Sequence, residues 1–195
     1  MTERPLRWSP AVVVLHWINA ALIVFLLALG WAMTHSVFDA GTTFDLYQRH
    51  KSLGFAALAL TLLRMAARLR YPARPCVAGR DGLLARIVQA ALYLLTLAAI
   101  AAGWLVVSTS PLPVPTQVFG LFVMPTIAAP DAALFAAARL AHQIAAYAVA
   151  ALVALHVAGA LKHLAVDRDD VVRRMLPWAT DSDSPPSAPG NPESS

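Results

Sequence analysis

Between its charged residues this chain runs uncharged for spans that leave no room for a soluble fold: from Trp8 to Phe38, from Ile87 up to Asp131, and from Leu140 to Leu161. The first and last hold apolar blocks long enough to cross about 30 Å of hydrocarbon as a helix. A fourth segment is interrupted, since only Ser52 to Leu63 separates Lys51 from Arg64. It reaches crossing length, from His50 to Leu69, if those long side chains carry their charges outward to the membrane surfaces. Composition agrees, with 58% of residues hydrophobic and 13% charged, against about one quarter charged in soluble domains. Apolar runs this long exceed any strand of a membrane barrel. The expectation is therefore an all-α integral membrane four-helix bundle, with helices over about 11–34, 50–69, 86–107 and 138–163.

Arginine and lysine set the orientation. Arg4 and Arg7 precede helix one, and Arg64, Arg68, Arg70, Arg74, Arg80 and Arg86 surround the link between helices two and three. Lys162, Arg168, Arg173 and Arg174 follow helix four. These twelve fall on one side, against Arg49, Lys51 and Arg139 on the other, so both termini are expected to be cytoplasmic by the positive-inside rule. The basic balance thus reports topology, and no nucleic-acid partner is called for. Helix one reads as a retained anchor, its apolar run being longer than that of a signal peptide.

Between the helices, His35 to Arg49 reads as a plain exposed turn. Residues 108–137 form a longer, apolar link carrying Pro111, Pro113, Pro115, Pro125 and Pro130. That density of proline excludes a fifth crossing helix. Phe119, Leu121, Phe122 and Val123 would be costly in open water, so this link reads either as a lid over the outer membrane face or as a loop resting on lipid. The segment 179–195, rich in Pro and Ser, reads as a disordered cytoplasmic tail after a domain of residues 1–178. The single Cys76 leaves no disulfide, no covalent C-x-x-C-H haem and no thiolate cluster.

The apolar segments carry four histidines at two matching depths. His142 and His156 stand fourteen residues apart, which places them roughly 40° apart around one helix and roughly 21 Å apart along it. His16 matches the depth of His156 near the cytoplasmic side, and His50 that of His142 near the outer side. One histidine alone is more often a buried side chain bonded to a backbone carbonyl. Four at consistent depths suggest two metal sites, His16 with His156 and His50 with His142. Two imidazoles with no carboxylate or thiolate do not complete a zinc or carboxylate-bridged iron shell. They do complete the two axial positions of a haem, an arrangement that favours electron transfer over oxygen binding.

The fourteen-residue step recurs. Gly30 follows His16 by that step, which puts a missing side chain at the depth of the outer site, where a macrocycle approaches the helix. Arg64 follows His50 by the same step, a guanidinium at the inner depth for a haem propionate or a bound quinone. Against these stand plainer readings, since glycine is common at membrane helix contacts and an arginine near a helix end often only snorkels. Gly54, Gly103 and Gly159 fit either purpose.

LHWINA in helix one, RHKSLGFAALALTLLRMAARL through helix two and AHQIAAYAVAALVALHVAGALKH in helix four together resemble the bacterial cytochrome b561 family of diheme membrane cytochromes. The resemblance covers about residues 6–177. Its strong parts are HKSLG and the H-x13-H helix, while helix three is generic. It implies two b-type haems, with His16 and His156 as axial ligands of one and His50 and His142 of the other. It also implies ubiquinone as electron acceptor, and one type in the family is a superoxide oxidase. Others resemble membrane anchors of hydrogenases or dehydrogenases.

Further residues bear on that activity. Arg49 and Lys51 flank His50, and Arg139 lies one turn before His142, so the three outer cations gather where an anionic donor would arrive. They equally suit the neutralisation of haem propionates. His163, seven residues beyond His156, lies on nearly the same helix face and roughly 10 Å nearer the cytoplasm, placed to bond a quinone carbonyl and deliver a proton. Trp17, beside His16, borders the same region or anchors the interface like the other tryptophans. His35 carries no functional expectation. Two classes stay open: an oxidoreductase taking electrons from a small periplasmic donor to ubiquinone, or a cytochrome subunit relaying electrons from a docked redox protein, a dehydrogenase or hydrogenase, to the quinone pool.

Overall fold

A computed structural model describes residues 8–72, 79–112 and 114–176. Arg4, Arg7, Arg74, Cys76, Pro113, Trp178 and the tail 179–195 lie outside the described residues. Four helices, α1 (Pro10–His35), α2 (Ala40–Arg70), α3 (Gly79–Thr109) and α4 (Ala132–Lys162), are each long and apolar enough to cross a membrane. The all-α bundle expected from the sequence is thus the fold.

The helix starts depart from the expected ones, and capping explains two of them. Hydropathy marks the thickness of the hydrocarbon, whereas a helix begins where a side chain satisfies its first free amides. Asp39 caps α2 by accepting the Thr42 N–H at 2.9 Å, and bonds from the Thr42 hydroxyl and amide hold its carboxyl below the usual carboxylate range. Asp131, just after Pro130, caps α4 by accepting the Leu134 N–H at 2.7 Å. Helices two, three and four therefore start at Ala40, Gly79 and Ala132, where hydropathy had suggested 50, 86 and 138. The expected turn over His35–Arg49 shrinks to a few residues. With 31 residues each, α2 and α4 run about 46 Å at 1.5 Å per residue. They outrun the hydrocarbon, and His50 and His142 sit about three turns inside them.

Among its described residues the third link contains no helix between α3 and α4, yet it is not strand-free. A short antiparallel hairpin pairs β1 (Thr116–Val118) with β2 (Phe122–Met124), Gln117 opposite Val123. Phe119 and Gly120 turn it with positive φ of 50° and 71°, and Leu121 N–H closes the turn on the Val118 carbonyl at 2.9 Å, the pairing of angles that suits a tight hairpin. The hairpin is docked on α2 beside His50. The buried Ser52 hydroxyl donates to the Gln117 carbonyl at 2.9 Å and accepts the Phe119 N–H at 3.1 Å. Gln48 donates to the Pro115 carbonyl at 3.2 Å, and the Trp104 indole on α3 donates to that of Pro125 at 2.9 Å.

Helix packing is uneven: α1 lies closely on α2 and α3 on α4, with much sparser approach between those two pairs. Within the first pair, the Asn19 side-chain amide donates to the Thr61 hydroxyl at 3.2 Å, both residues almost fully buried. The buried apolar side chains among the described residues are all Val or Ala, such as Val12, Ala57, Ala145 and Val149. Phe25, Leu94 and Leu155 instead face outward. In lipid the large apolar groups gain nothing by moving inside, so small residues take the helix contacts.

Candidate cofactor site

Each close-packed helix pair contributes two histidines to the seam between the pairs. His16 of α1 faces His156 of α4 with ring centroids 6.3 Å apart, and His50 of α2 faces His142 of α4 at 6.1 Å. The interplanar angles are 69° and 89°. Two imidazoles sharing one metal, each with a bond of about 2 Å and its ring centre about 1.1 Å behind the nitrogen, stand about 6.2 Å apart. Both pairs stand close to that separation.

The surroundings of the rings fit a ligand role. Nδ1 of His16 and of His50 is buried without a hydrogen-bond partner, and such an unmet group costs about 1–3 kcal/mol. His142 differs: its Nδ1–H donates to the Ala99 carbonyl at 2.7 Å, which fixes the ring and leaves Nε2 for a metal. Glycine gives two of the rings their space. A Cβ on Gly30 would meet His50 Cε1 at 3.4 Å, and one on Gly103 would meet Cε1 and Nδ1 of His142 at 3.1 Å. The Gly30 position is the one that the fourteen-residue step points to. Gly103 was not separable from Gly54 and Gly159 in the sequence, and α3 is less generic than it reads. Ala99 and Gly103, one turn apart, form the wall on which His142 rests.

These observations agree with the relatives of the chain. Residues 7–178 match the family described as prokaryotic cytochrome b561. The chain is also 32% identical over 179 residues to cytochrome b561 homolog 2 of Escherichia coli (strain K12), covering 90% of this chain and 94% of that protein. This chain belongs to the prokaryotic cytochrome b561 family. It is accordingly a multi-pass protein of the bacterial inner membrane, a b-type cytochrome whose work is electron transfer across that membrane. The facing imidazoles and the glycines beside two of them fit such a haem.

At the level of this cytochrome where α1 begins and α4 ends, expected from the sequence to be the inner one, Arg64 lies within electrostatic reach of both His16 and His156. Its guanidinium sits 5.1 Å above the Tyr93 ring. Arg64 Nε and the Tyr93 hydroxyl are both buried without partners. Tyr93 escaped the sequence reading because a lone tyrosine in an apolar helix gives no periodic signal. His163 opens a π-helical turn (His163–Asp167) after α4. Its Nδ1–H is bonded to Asp169 at 2.8 Å and lies 3.1 Å from Asp167. Trp17 packs edge-on to His16 at 5.2 Å and donates its indole N–H to the Met175 carbonyl at 2.6 Å. Any contact of Trp17 with a ligand is therefore through its ring face, because its polar group ties down the C-terminal segment.

At the outer level, Arg49 and Arg139 are exposed and Lys51 is half-buried. None of the three forms an ion pair among the described residues. His35 stacks on Trp31 at 5.1 Å at the end of α1.

Proposed function

We propose that this cytochrome holds two haem b groups, one between His16 and His156 and one between His50 and His142. In this reading it passes single electrons from a small periplasmic donor, superoxide, to ubiquinone. The observation that carries the reading is the pair of facing histidine couples at two levels, each near the separation at which two imidazoles could share one metal ion. His16, His156, His50 and His142 would hold the haem groups, which when bound would supply reversible one-electron chemistry. With twelve of fifteen basic residues on the side of the termini, the His50 and His142 level faces the periplasm.

The residues divide the work by level. Arg49, Lys51 and Arg139 gather at the outer end, none of them in an ion pair among the described residues, and a small anion arriving beside His50 meets these side chains. Two superoxide anions each lose one electron and leave as two molecules of dioxygen. The two electrons, with two protons taken up at the inner level, convert one ubiquinone to ubiquinol. Arg64 offers a buried guanidinium to a propionate or a quinone oxygen, and His163 supplies the proton. Lipid surrounds the bundle and delivers the quinone. The alternative, a subunit that receives electrons from a docked partner redox protein, calls for a broad polar outer surface. The hairpin instead presents Phe119, Leu121, Phe122 and Val123 there, all exposed and apolar.

The test is a superoxide pulse on the purified protein, with ubiquinone present or absent. The expected result is fast haem reduction that persists without ubiquinone and is followed by reoxidation with it, slowed by salt as outer cations are screened. Absence of fast reduction would remove superoxide as donor and favour the partner-protein relay.

A further inference from the structure

The inner end carries an arrangement that electron transfer alone does not require. After Lys162 the helix widens into the π turn, and Arg168 then takes a left-handed conformation at φ 51°. That conformation costs about 1–2 kcal/mol for a residue with a side chain, so the surrounding structure has to repay it. The strained residue folds the chain back, and the Asp169 N–H closes the loop on the His163 carbonyl at 3.2 Å. The result is that the Asp169 carboxylate lies against the imidazole. One of its oxygens accepts the His163 Nδ1–H at 2.8 Å, and the other accepts the Val171 N–H at 3.1 Å. Departures of this kind from regular helix concentrate at functional sites.

The neighbouring charges single out Asp169. Asp167 also approaches Nδ1, at 3.1 Å, but the Lys162 ammonium holds it at 2.8 Å and bonds Asp81 of α3 at 3.3 Å. Arg173 pairs loosely with Asp170 at 3.9 Å. Asp169 is the nearer of the two carboxylates to His163, at 2.8 Å against 3.1 Å. His163, Asp167 and Asp169 stand close enough together to suit a cation, yet Lys162 already meets the charge on the Asp167 side.

We propose that Asp169 is a positioning residue: it holds the His163 proton on Nδ1 in the neutral ring, so that Nε2 is the atom that exchanges protons with ubiquinone. This rests on the reading of His163 as proton donor. In each turnover the quinone gains two electrons and two protons. The Nε2 proton passes to a quinone oxygen, the Nδ1–H stays with Asp169, and water at the membrane surface returns a proton to Nε2. No hydrogen bond among the described residues occupies Nε2. A carboxylate can only accept, so it enforces this tautomer; an amide at the same place can also donate, and does not.

The experiment follows reoxidation of the reduced, haem-loaded protein by a short-chain ubiquinone, in water and in deuterium oxide. Ferricyanide, which takes an electron without a proton, is the control acceptor. Asp169→Asn is expected to slow oxidation by the quinone about tenfold or more and to raise its solvent isotope effect, with ferricyanide oxidation unchanged. Asp169→Glu is expected to restore much of the rate. Nitrogen NMR of histidine-labelled reduced protein is expected to show the Nδ1–H tautomer of His163 in the parent and a mixture in Asp169→Asn. If His163→Gln leaves quinone oxidation unaltered, the reading of His163 fails. If His163→Gln slows it while Asp169→Asn matches the parent in rate, isotope effect and tautomer, the role of Asp169 alone is overturned.

Discussion

At the level of single residues, the tightest constraint on the outer site is Gly103. Its missing side chain lets His142 lie against α3, where the Ala99 carbonyl takes the ring proton. An added methyl would stand 3.1 Å from two ring atoms, and at Gly30 only 3.4 Å from one. Gly103→Ala is thus expected to tilt His142 off its carbonyl, lowering the content of the outer haem or shifting its spectrum more than Gly30→Ala does. Haem-to-protein ratios of the two variants check this, and equal retention of haem would contradict it. The difference also shows where sequence reading stops. Gly30 could be placed against the outer site because His16 sets a register on its own helix. α3 bears no histidine and hence no register, and a backbone carbonyl such as Ala99 leaves no mark in a sequence.

Elements were legible to the extent that lipid dictates them. Apolar length marked three crossings, the second helix needed its Lys51 and Arg64 to snorkel, and prolines ruled out a fifth. What hydropathy missed lies beyond the hydrocarbon: the first turns of α2 and α4, which Asp39 and Asp131 cap, and a hairpin of two three-residue strands. The caps were readable as Asp before a helix-compatible run, whereas the hairpin was not, since its anchor is a tertiary contact with Ser52. HKSLG contains that serine, and its role is to hold the link over the His50 level. Ser52→Ala removes two hydrogen bonds, worth about 1 kcal/mol each, and leaves the Phe119 amide without its partner. Faster hydrogen exchange at Phe119 and quicker proteolysis between Pro115 and Pro125 are the expected outcomes, with the α2 amides unaffected. Unchanged exchange at Phe119 would mean that the hairpin is held by other contacts.

Across the whole molecule, the four histidines meet in the seam between two close-packed helix pairs. α4 contributes His142 and His156, one to each level, while α1 and α2 contribute one each. The four histidines thereby bridge the bundle across its sparsest packing, and the proposed haems would take the place that bulky side chains fill in a soluble core. Depth matching in the sequence was enough to pair the histidines, because the helical rise converts residue number into position along the membrane normal. The central claim is two haems on those pairs, and haem content with the visible spectrum of four single-histidine variants tests it most directly. The account predicts two low-spin haems per chain in the parent. His16→Ala and His156→Ala should lose one of them, with the same residual spectrum, and His50→Ala and His142→Ala should lose the other. Loss of the same haem from all four variants, or one haem per chain in the parent, would contradict it.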